Sequence, residues 1–172
     1  MQERLQQMLE TWNERPQEIA HLLNPAFLGV LIRRAVGGYE SASSRGMPFT
    51  LTPFILPLVL HGGTRKMMPT IATTFPTWLQ EHRELLIEFP NRVAELVPYT
   101  REALIFALQR NALTIDSQGS FREGKAKMKG KSRYPDKSAE ISECWRRSEF
   151  VGRWLAEAGP VATVYGLLGV SP

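Results

Sequence analysis

Three histidines and one cysteine are the residues best suited to hold a metal or to act in catalysis, and they lie far apart in the chain. His21, His61, His82 and Cys144 show none of the close spacings that are typical of zinc sites. The chain also lacks a Gly-x-Ser-x-Gly sequence, which would expose a serine nucleophile at a strand-to-helix turn. The sequence therefore predicts a protein that is not an enzyme and that needs no metal or cofactor.

The segment Gly119–Lys125 has two glycines separated by four residues and then a lysine, which is the spacing of a phosphate-binding loop. Such a loop needs a hydroxyl at the next position to bind Mg²⁺, and that position is Ala126. It also needs a strand before it and a helix after it, whereas this run lies in a predicted hairpin followed by lysines. We therefore predict no nucleotide site here.

A basic segment, residues 122–133 (REGKAKMKGKSR), starts at the end of the predicted hairpin. It contains six basic side chains and one acidic side chain, so its local charge is +5, compared with +4 for the whole chain. Two hypotheses remain open for this basic segment. It could contact nucleic-acid phosphates without reading sequence, or it could be a solvated flexible loop. The candidate nucleic-acid contacts are Arg122, Lys125, Lys127, Lys129, Lys131 and Arg133.

The elements that would position this segment have the order of a winged helix-turn-helix. Apolar residues at helical spacing give way to short alternating segments around a turn of Asp-Ser-Gln-Gly. Pro98 is expected to end the second helix and Thr100 to cap the third. The predicted elements are helices Pro76–Ile87, Pro90–Leu96 and Thr100–Asn111, and strands Ala112–Asp116 and Gly119–Glu123.

The third predicted helix is too apolar for a clean reading of DNA bases. Ile105 and Phe106 lie outside its expected core face, and Glu102 would repel phosphate. This pattern favours a helix that is covered on two sides, by its own domain and by an added segment or partner. The alternative is a recognition helix that reads DNA through Arg101, Gln109 and Arg110.

The remaining segments complete a mainly α-helical fold, with a winged-helix core, an N-terminal helical extension and C-terminal helices. Asn24 is predicted to cap a helix that starts at Pro25. The segment Met47–Leu60 is apolar on every side and must be buried in the core or against another chain. Gly166, in a final short helix, indicates a tight contact. The predicted regions are 1–74 (N-terminal helices), 75–124 (winged-helix core), 125–137 (flexible basic loop) and 138–172 (C-terminal helices), in one globular domain.

Composition indicates a cytoplasmic protein. One cysteine excludes an internal disulfide, which fits a reducing compartment. The polar N-terminus is unlike a signal peptide, and the longest uninterrupted apolar runs are shorter than the ~20 residues of a membrane span. We therefore expect no membrane association.

Five stretches of the chain form an ordered set of motifs: Asn24–Phe27, Leu56–His61 with Thr64 and Arg65, Tyr99–Leu108, Arg147–Trp154 and Val164–Pro172. In this order they resemble the middle-component proteins of bacterial three-component ABC systems. The resemblance covers most of the chain from about Leu22 onward, apart from the basic segment. Ser171 stands where the family's ending, Gly-Val-Arg-Pro, has an arginine, so no role of that charge is carried over to this chain.

The resemblance implies a non-enzymatic adaptor between a coiled-coil ABC ATPase of the chromosome-maintenance (SMC-like) kind and an effector, often a nuclease. Such systems, including the Lamassu type, act in defence against phage and plasmids. The chain would contact double-stranded DNA as part of the complex and without sequence specificity. The alternative function is a stand-alone winged-helix transcriptional regulator. Apolar excess places the partner contacts at Phe49, Phe54, Leu56, Leu58, Ile105, Phe106, Trp154 and Tyr165.

Overall fold

A computed structural model describes Leu9 and residues 11–69, 73–126 and 138–171. The described chain is mainly helical, with one two-stranded sheet. The helices are α1 (Gln17–Leu22), α2 (Pro25–Ser43), α3 (Ile55–Leu60), α4 (Gly62–Met67), α5 (Phe75–Glu81), α6 (Phe89–Gln109), α7 (Ser138–Glu157) and α8 (Val161–Leu168), and the strands are β1 (Leu113–Ile115) and β2 (Phe121–Glu123). Short 3-10 helices, Phe49–Phe54 and Arg83–Leu86, precede α3 and α6.

Helix α2 starts where the sequence predicts. The Asn24 side chain accepts a hydrogen bond of 2.8 Å from the backbone N–H of Ala26, and Pro25 occupies the first turn, where its missing N–H leaves no bond unmade. Leu28, Leu31, Ile32, Ala35 and Val36 recur at helical spacing and are fully buried.

Helices α2 and α7 form the most extensive helix contact of the described chain, and two glycines allow it. A Cβ added to Gly152 of α7 would lie 1.9 Å from the carbonyl oxygen of Ala35 on α2. A Cβ added to Gly38 of α2 would lie 2.1 Å from the carbonyl oxygen of Glu149 on α7. The two backbones therefore meet directly, with no room for a methyl group on either side.

The prediction of two separate helices, Pro90–Leu96 and Thr100–Asn111, is wrong, because α6 runs through Pro98 without a break. Proline removes the N–H that would bond the carbonyl of Ala94, but Ala94 is exposed and solvent can donate to that carbonyl instead. Thr100 does not cap a new helix. Its hydroxyl donates to the carbonyl of Leu96 in the preceding turn, at 2.9 Å.

The winged helix-turn-helix is therefore not confirmed, although the predicted hairpin is. β1 and β2 pair antiparallel with Ile115 opposite Phe121, and β2 also bridges to Met47 before the first 3-10 helix. The Asp116 carboxylate caps the turn by accepting from the backbone N–H groups of Gln118 and Ser120, both at 2.9 Å. These bonds, that from Ser120 above all, hold the pKa of Asp116 below its ordinary value.

Helices α7 and α8 lie in the predicted C-terminal helical region, 138–172, but the expected tight contact at Gly166 does not occur among the described residues. A Cβ added to Gly166 would meet nothing within 4 Å among the described residues, and Gly166 is exposed. The close approaches that the sequence predicted for this glycine occur instead at Gly38 and Gly152.

One helical stretch of the described residues, Gln17–Ser43, is long and apolar enough to cross a membrane by length and composition. Arg33 and Arg34 lie within this stretch, so it does not count as an uninterrupted apolar run in the sequence. A core helix meets the same criterion, and Leu28 and Leu31 within this stretch are fully buried in the fold.

Candidate interaction site

Four of the residues predicted to contact partners lie inside the core of the chain itself. Phe54 and Leu56 are fully buried, Leu58 is 2% exposed and Trp154 is 3% exposed. The apolar segment Met47–Leu60 packs against α2, α6 and α7, so its own chain covers most of it without a partner, although Phe49 is 53% exposed. The four core side chains do not reach the surface in this fold.

Trp154 belongs to an aromatic cluster under α7. Its ring centroid lies 4.4 Å from that of Phe150, 5.0 Å from that of Trp78 and 5.3 Å from that of Phe75. Its indole N–H donates to the carbonyl of Thr73 at 2.8 Å, so the one polar atom of the ring is paired. This tryptophan holds α5 to α7.

The other four predicted contacts are open to solvent to different degrees. Phe49 is 53% exposed and Ile105 is 55% exposed, while Phe106 and Tyr165 are half-buried. The Tyr165 ring packs edge-on to Phe54 at 4.8 Å, and its hydroxyl donates to the carbonyl of Thr50 at 2.9 Å. Burial raises the pKa of Tyr165, which keeps this hydroxyl protonated as a donor.

Of the basic segment, the structure describes Arg122 and Lys125, whereas Lys127, Lys129, Lys131 and Arg133 lie outside the described residues. Arg122 is paired with the carboxylates of Asp116 at 3.1 Å and Glu40 at 3.0 Å, and its hydrogen bond to Asp116 raises its pKa. Through these two ion pairs, Arg122 links the hairpin to α2 and is not free to contact phosphate. Lys125 is exposed.

A groove of about 1040 Å³, which no single sequence segment reveals, lies between the α1–α2 junction and the first turns of α7. Its wall is mainly apolar, and Leu22 at its edge is 70% exposed. The residues of this groove are His21, Leu22, Leu23, Asn24, Ala26, Phe27, Leu60, Arg65, Ala139, Glu140, Ile141 and Cys144. The apolar character of Leu22 and Leu23 was the one sequence signal for it.

Arg65 is the buried charge in this groove, and it is only 5% exposed. Its Nη1 donates to the carbonyl oxygens of Val59 and Leu60, both at 2.7 Å, and fixes the end of α3. Its Nη2 donates to the carboxylate of Glu140 at 2.5 Å, while its Nε is buried and has no hydrogen-bond partner among the residues that the structure describes. An arginine with this role could not be recognised from sequence.

His61 caps α4 through its imidazole. The Nδ1 atom accepts a hydrogen bond of 3.1 Å from the backbone N–H of Thr64. Partial burial, together with the charges of Arg92 and Arg65, lowers the pKa of His61. The environment therefore favours the neutral ring, which is the form that can accept this bond.

We expect acidification to weaken the α4 cap. Because the pKa of His61 is lowered in the fold, the unfolded chain binds this proton more readily, and the contribution is complete above the unfolded pKa of about 6.5. It is lost as the pH falls through the lower, folded pKa. A cap is usually worth about 1 kcal/mol, and because the His61 ring is exposed and solvent screens its charge, we expect a loss of about half that or less. Urea unfolding across this range would measure the loss. His61→Asn keeps a capping oxygen but does not titrate, so a variant with the same pH dependence as the natural chain would contradict the assignment.

No group of three or more His, Cys, Asp or Glu side chains that could hold a metal ion occurs among the described residues. The features that the structure does bring together are apolar surface and the buried Arg65. Their arrangement suits recognition of another macromolecule by packing and charge.

Comparison with known proteins finds a family model that covers most of the chain. The family model ABC-three component (ABC-3C) system Middle Component 3 matches residues 12–172. Neither the curated proteins nor the solved structures contain a match.

Proposed function

Because the chain belongs to the ABC-three component system Middle Component 3 family, we propose that it is a non-enzymatic adaptor that links the ABC ATPase of its system to an effector. The match over residues 12–172 carries the proposal, since a middle component of a multi-component ABC system has protein partners. The finer proposal, drawn from the resemblance, is an SMC-like coiled-coil ATPase, a nuclease effector and a cytoplasmic, Lamassu-type role in defence against phage and plasmids.

The distribution of apolar surface supports a protein that works in a complex. Single exposed apolar residues are common on any protein, but a contiguous apolar groove is typical of a binding site. This chain has such a groove, in addition to Phe49, Ile105 and Ile115, which are each more than half exposed. Separate apolar sites would allow two partners to bind at once.

Co-expression with the proteins encoded beside it tests this proposal. A tagged copy of the full chain is expected to recover both the ATPase and the effector after size-exclusion chromatography. Recovery of neither would overturn the adaptor function. Recovery of one alone would restrict the chain to an accessory subunit of that protein.

We propose further that the basic segment contacts DNA that the ATPase holds. Changing Lys125, Lys127, Lys129 and Lys131 to glutamate is expected to weaken DNA binding by the complex, most strongly at low salt, because phosphate contacts release counterions. The complex should still assemble. Loss of assembly would instead make this segment a protein interface.

The stand-alone regulator makes the opposite prediction for the isolated chain. A regulator would bind one DNA sequence in preference to others, whereas the adaptor would bind weakly and without sequence preference. The continuous helix α6 favours the adaptor, because Arg101, Gln109 and Arg110 lie on one long helix or at its end and not on a separate recognition helix. A selective operator site found with the purified chain would reverse this preference.

A further inference from the structure

Arg34 and Arg110 have guanidinium groups that stack on aromatic rings and have no other polar partner among the described residues. The guanidinium carbon of Arg34 lies 5.3 Å from the ring centroid of Trp145, and that of Arg110 lies 5.3 Å from the ring centroid of Phe106. Neither guanidinium group forms a hydrogen bond or an ion pair with a described residue. Stacking fixes the plane of a guanidinium group and leaves the N–H groups at its edge available. Each side chain is therefore a positioned cation whose donors are not in use.

Arg110 lies beside the start of the basic segment. It follows the last residue of α6, and the carbonyl of the next residue, Asn111, accepts a hydrogen bond of 3.0 Å from the backbone N–H of Ala126. Lys125, which precedes Ala126, is exposed, as is Arg110. The hydrogen bond therefore brings two exposed cations onto neighbouring stretches of backbone.

Arg34 lies between the hairpin and α7. Its neighbours one turn later on the surface of α2 are Gly37 and Gly38. A Cβ added to Gly37 would meet the carboxylate of Glu123 at the end of β2, whereas a Cβ added to Gly38 would meet the backbone of Glu149 in α7. Since Glu123 is three residues before Ala126, Arg34 lies near the start of the basic segment from the side of α2.

The two carboxylates on either side of Arg34 already have partners. Glu123 is paired with Arg33 at 2.7 Å, and Glu149 is paired with Arg153 one turn later on α7, at 2.8 Å. These acids do not compensate the stacked arginines. The positive charge of this part of the surface therefore remains available to an anionic ligand.

The composition of this region favours phosphate over an acidic protein as the ligand. Protein interfaces are depleted in lysine and depend on apolar anchors at their centre. The basic segment instead has four lysines and only Ala126 and Met128 as apolar residues, and the nearby rings of Phe106 and Trp145 each carry a guanidinium group. Arginine and lysine side chains are the usual donors to the phosphates of nucleic acids.

We propose that Arg34, Arg110 and Lys125 form a phosphate-binding face that holds the backbone of double-stranded DNA at the start of the basic segment. The inference rests on the proposed function, in which the basic segment contacts DNA, and adds the residues of the folded chain that position the duplex. Each arginine binds one phosphate. The face contacts the backbone alone, so it binds DNA without sequence preference.

Removing the charge of each arginine tests this face in the co-expressed complex. The probe is a fluorescent DNA duplex of arbitrary sequence, and its affinity is measured at several salt concentrations. Arg34→Gln and Arg110→Gln are each expected to lower the slope of log affinity against log salt by about one, because each removes one phosphate contact. The double variant should lower the slope by about two.

Arg83→Gln is the matched control. Arg83 is exposed and lies before the start of α6, a helix of 21 residues that ends next to Arg110. The length of this helix, about 30 Å, separates Arg83 from the proposed face. The salt slope should therefore be that of the natural chain.

Lysine variants distinguish the charge of the two arginines from their packing. Arg34→Lys and Arg110→Lys keep the charge but lose the planar group that stacks on the ring. They are expected to keep the salt slope of the natural chain. A slope as low as that of the glutamine variants would show that packing carries the effect, which would overturn the face.

The remaining outcomes separate this inference from the proposed function. An unchanged slope for either glutamine variant, in a complex that assembles and binds the duplex, would overturn the face and leave the adaptor standing. Loss of assembly in these variants would assign the face to an acidic protein partner and also overturn it. Failure of the natural chain to assemble, or of its complex to bind the duplex, would overturn the corresponding part of the proposed function as well.

Discussion

Replacing Trp154 with alanine is expected to lower the free energy of unfolding by about 3–5 kcal/mol, the usual effect of removing a buried aromatic side chain. The indole is 3% exposed, packs against the rings of Phe75, Trp78 and Phe150, and donates to the carbonyl of Thr73. The substitution leaves a large cavity and an unpaired carbonyl at once. Urea unfolding of the purified chain would measure the change.

Trp12→Ala is the matched control, because that indole is 42% exposed and packs mainly under the guanidinium of Arg15. A loss of about 1 kcal/mol at most is expected there. If Trp154→Ala is as mild as the control, Trp154 lies at the surface. It would then return to the partner interface to which the sequence assigned it.

Gly152→Ala should destabilise the chain by about 3 kcal/mol or more, the upper range for overpacking. Alanine favours a helix over glycine by about 1 kcal/mol, so the substitution would stabilise α7 if space allowed it. The added Cβ would instead lie 1.9 Å from the Ala35 carbonyl oxygen, and its near neighbours are backbone atoms that no rotamer change can move. The two helices would have to separate.

Gly166→Ala controls for helix propensity. This glycine lies within α8, and no described residue comes within 4 Å of its added Cβ, so a gain of up to about 1 kcal/mol is expected for the isolated chain. Opposite signs for the two variants would support the packing of α2 on α7. Two gains in stability would mean that α2 and α7 do not meet at Gly152.

Local rules in the sequence predict the ends of elements well in this chain. Asn24-Pro25 marks the start of α2, and the turn at Asp116 marks the hairpin, because both depend on residues within one turn of each other. Pro98 shows the limit of such rules. Proline inside a helix leaves the carbonyl four residues earlier without its donor and crowds it with the ring, so the helix continues more easily where that carbonyl can turn to solvent. Exposure of Ala94 is a property of the folded chain that local rules do not contain.

The packing partners of glycines and apolar residues depend on the whole fold. Glycine inside a helix costs stability relative to alanine, so a helical glycine suggests a close packing contact. The sequence does not distinguish Gly152, whose added Cβ would meet the backbone of Ala35, from Gly166, whose added Cβ would meet no described residue. Likewise, the apolar excess of Met47–Leu60 predicted burial and left open whether its own chain or a partner supplies the cover. The structure shows that its own chain does so for Phe54, Leu56 and Leu58.

The groove was beyond reach of sequence patterns because its residues come from three separate regions. Leu22 and Leu23 precede α2, Arg65 lies in α4, and Glu140 and Ile141 open α7. No spacing rule joins residues so far apart. The burial of Arg65 depends on the carbonyl groups at the end of α3, which only the folded chain brings into reach.

The most direct measurement of the central claim asks whether the effector depends on this chain to reach the ATPase. The ATPase carries the tag, the three proteins are co-expressed with and without the full chain, and the recovered effector is quantified. The account predicts that the effector is recovered in proportion to the chain present and is lost in its absence. Equal recovery of the effector without the chain would contradict the adaptor function.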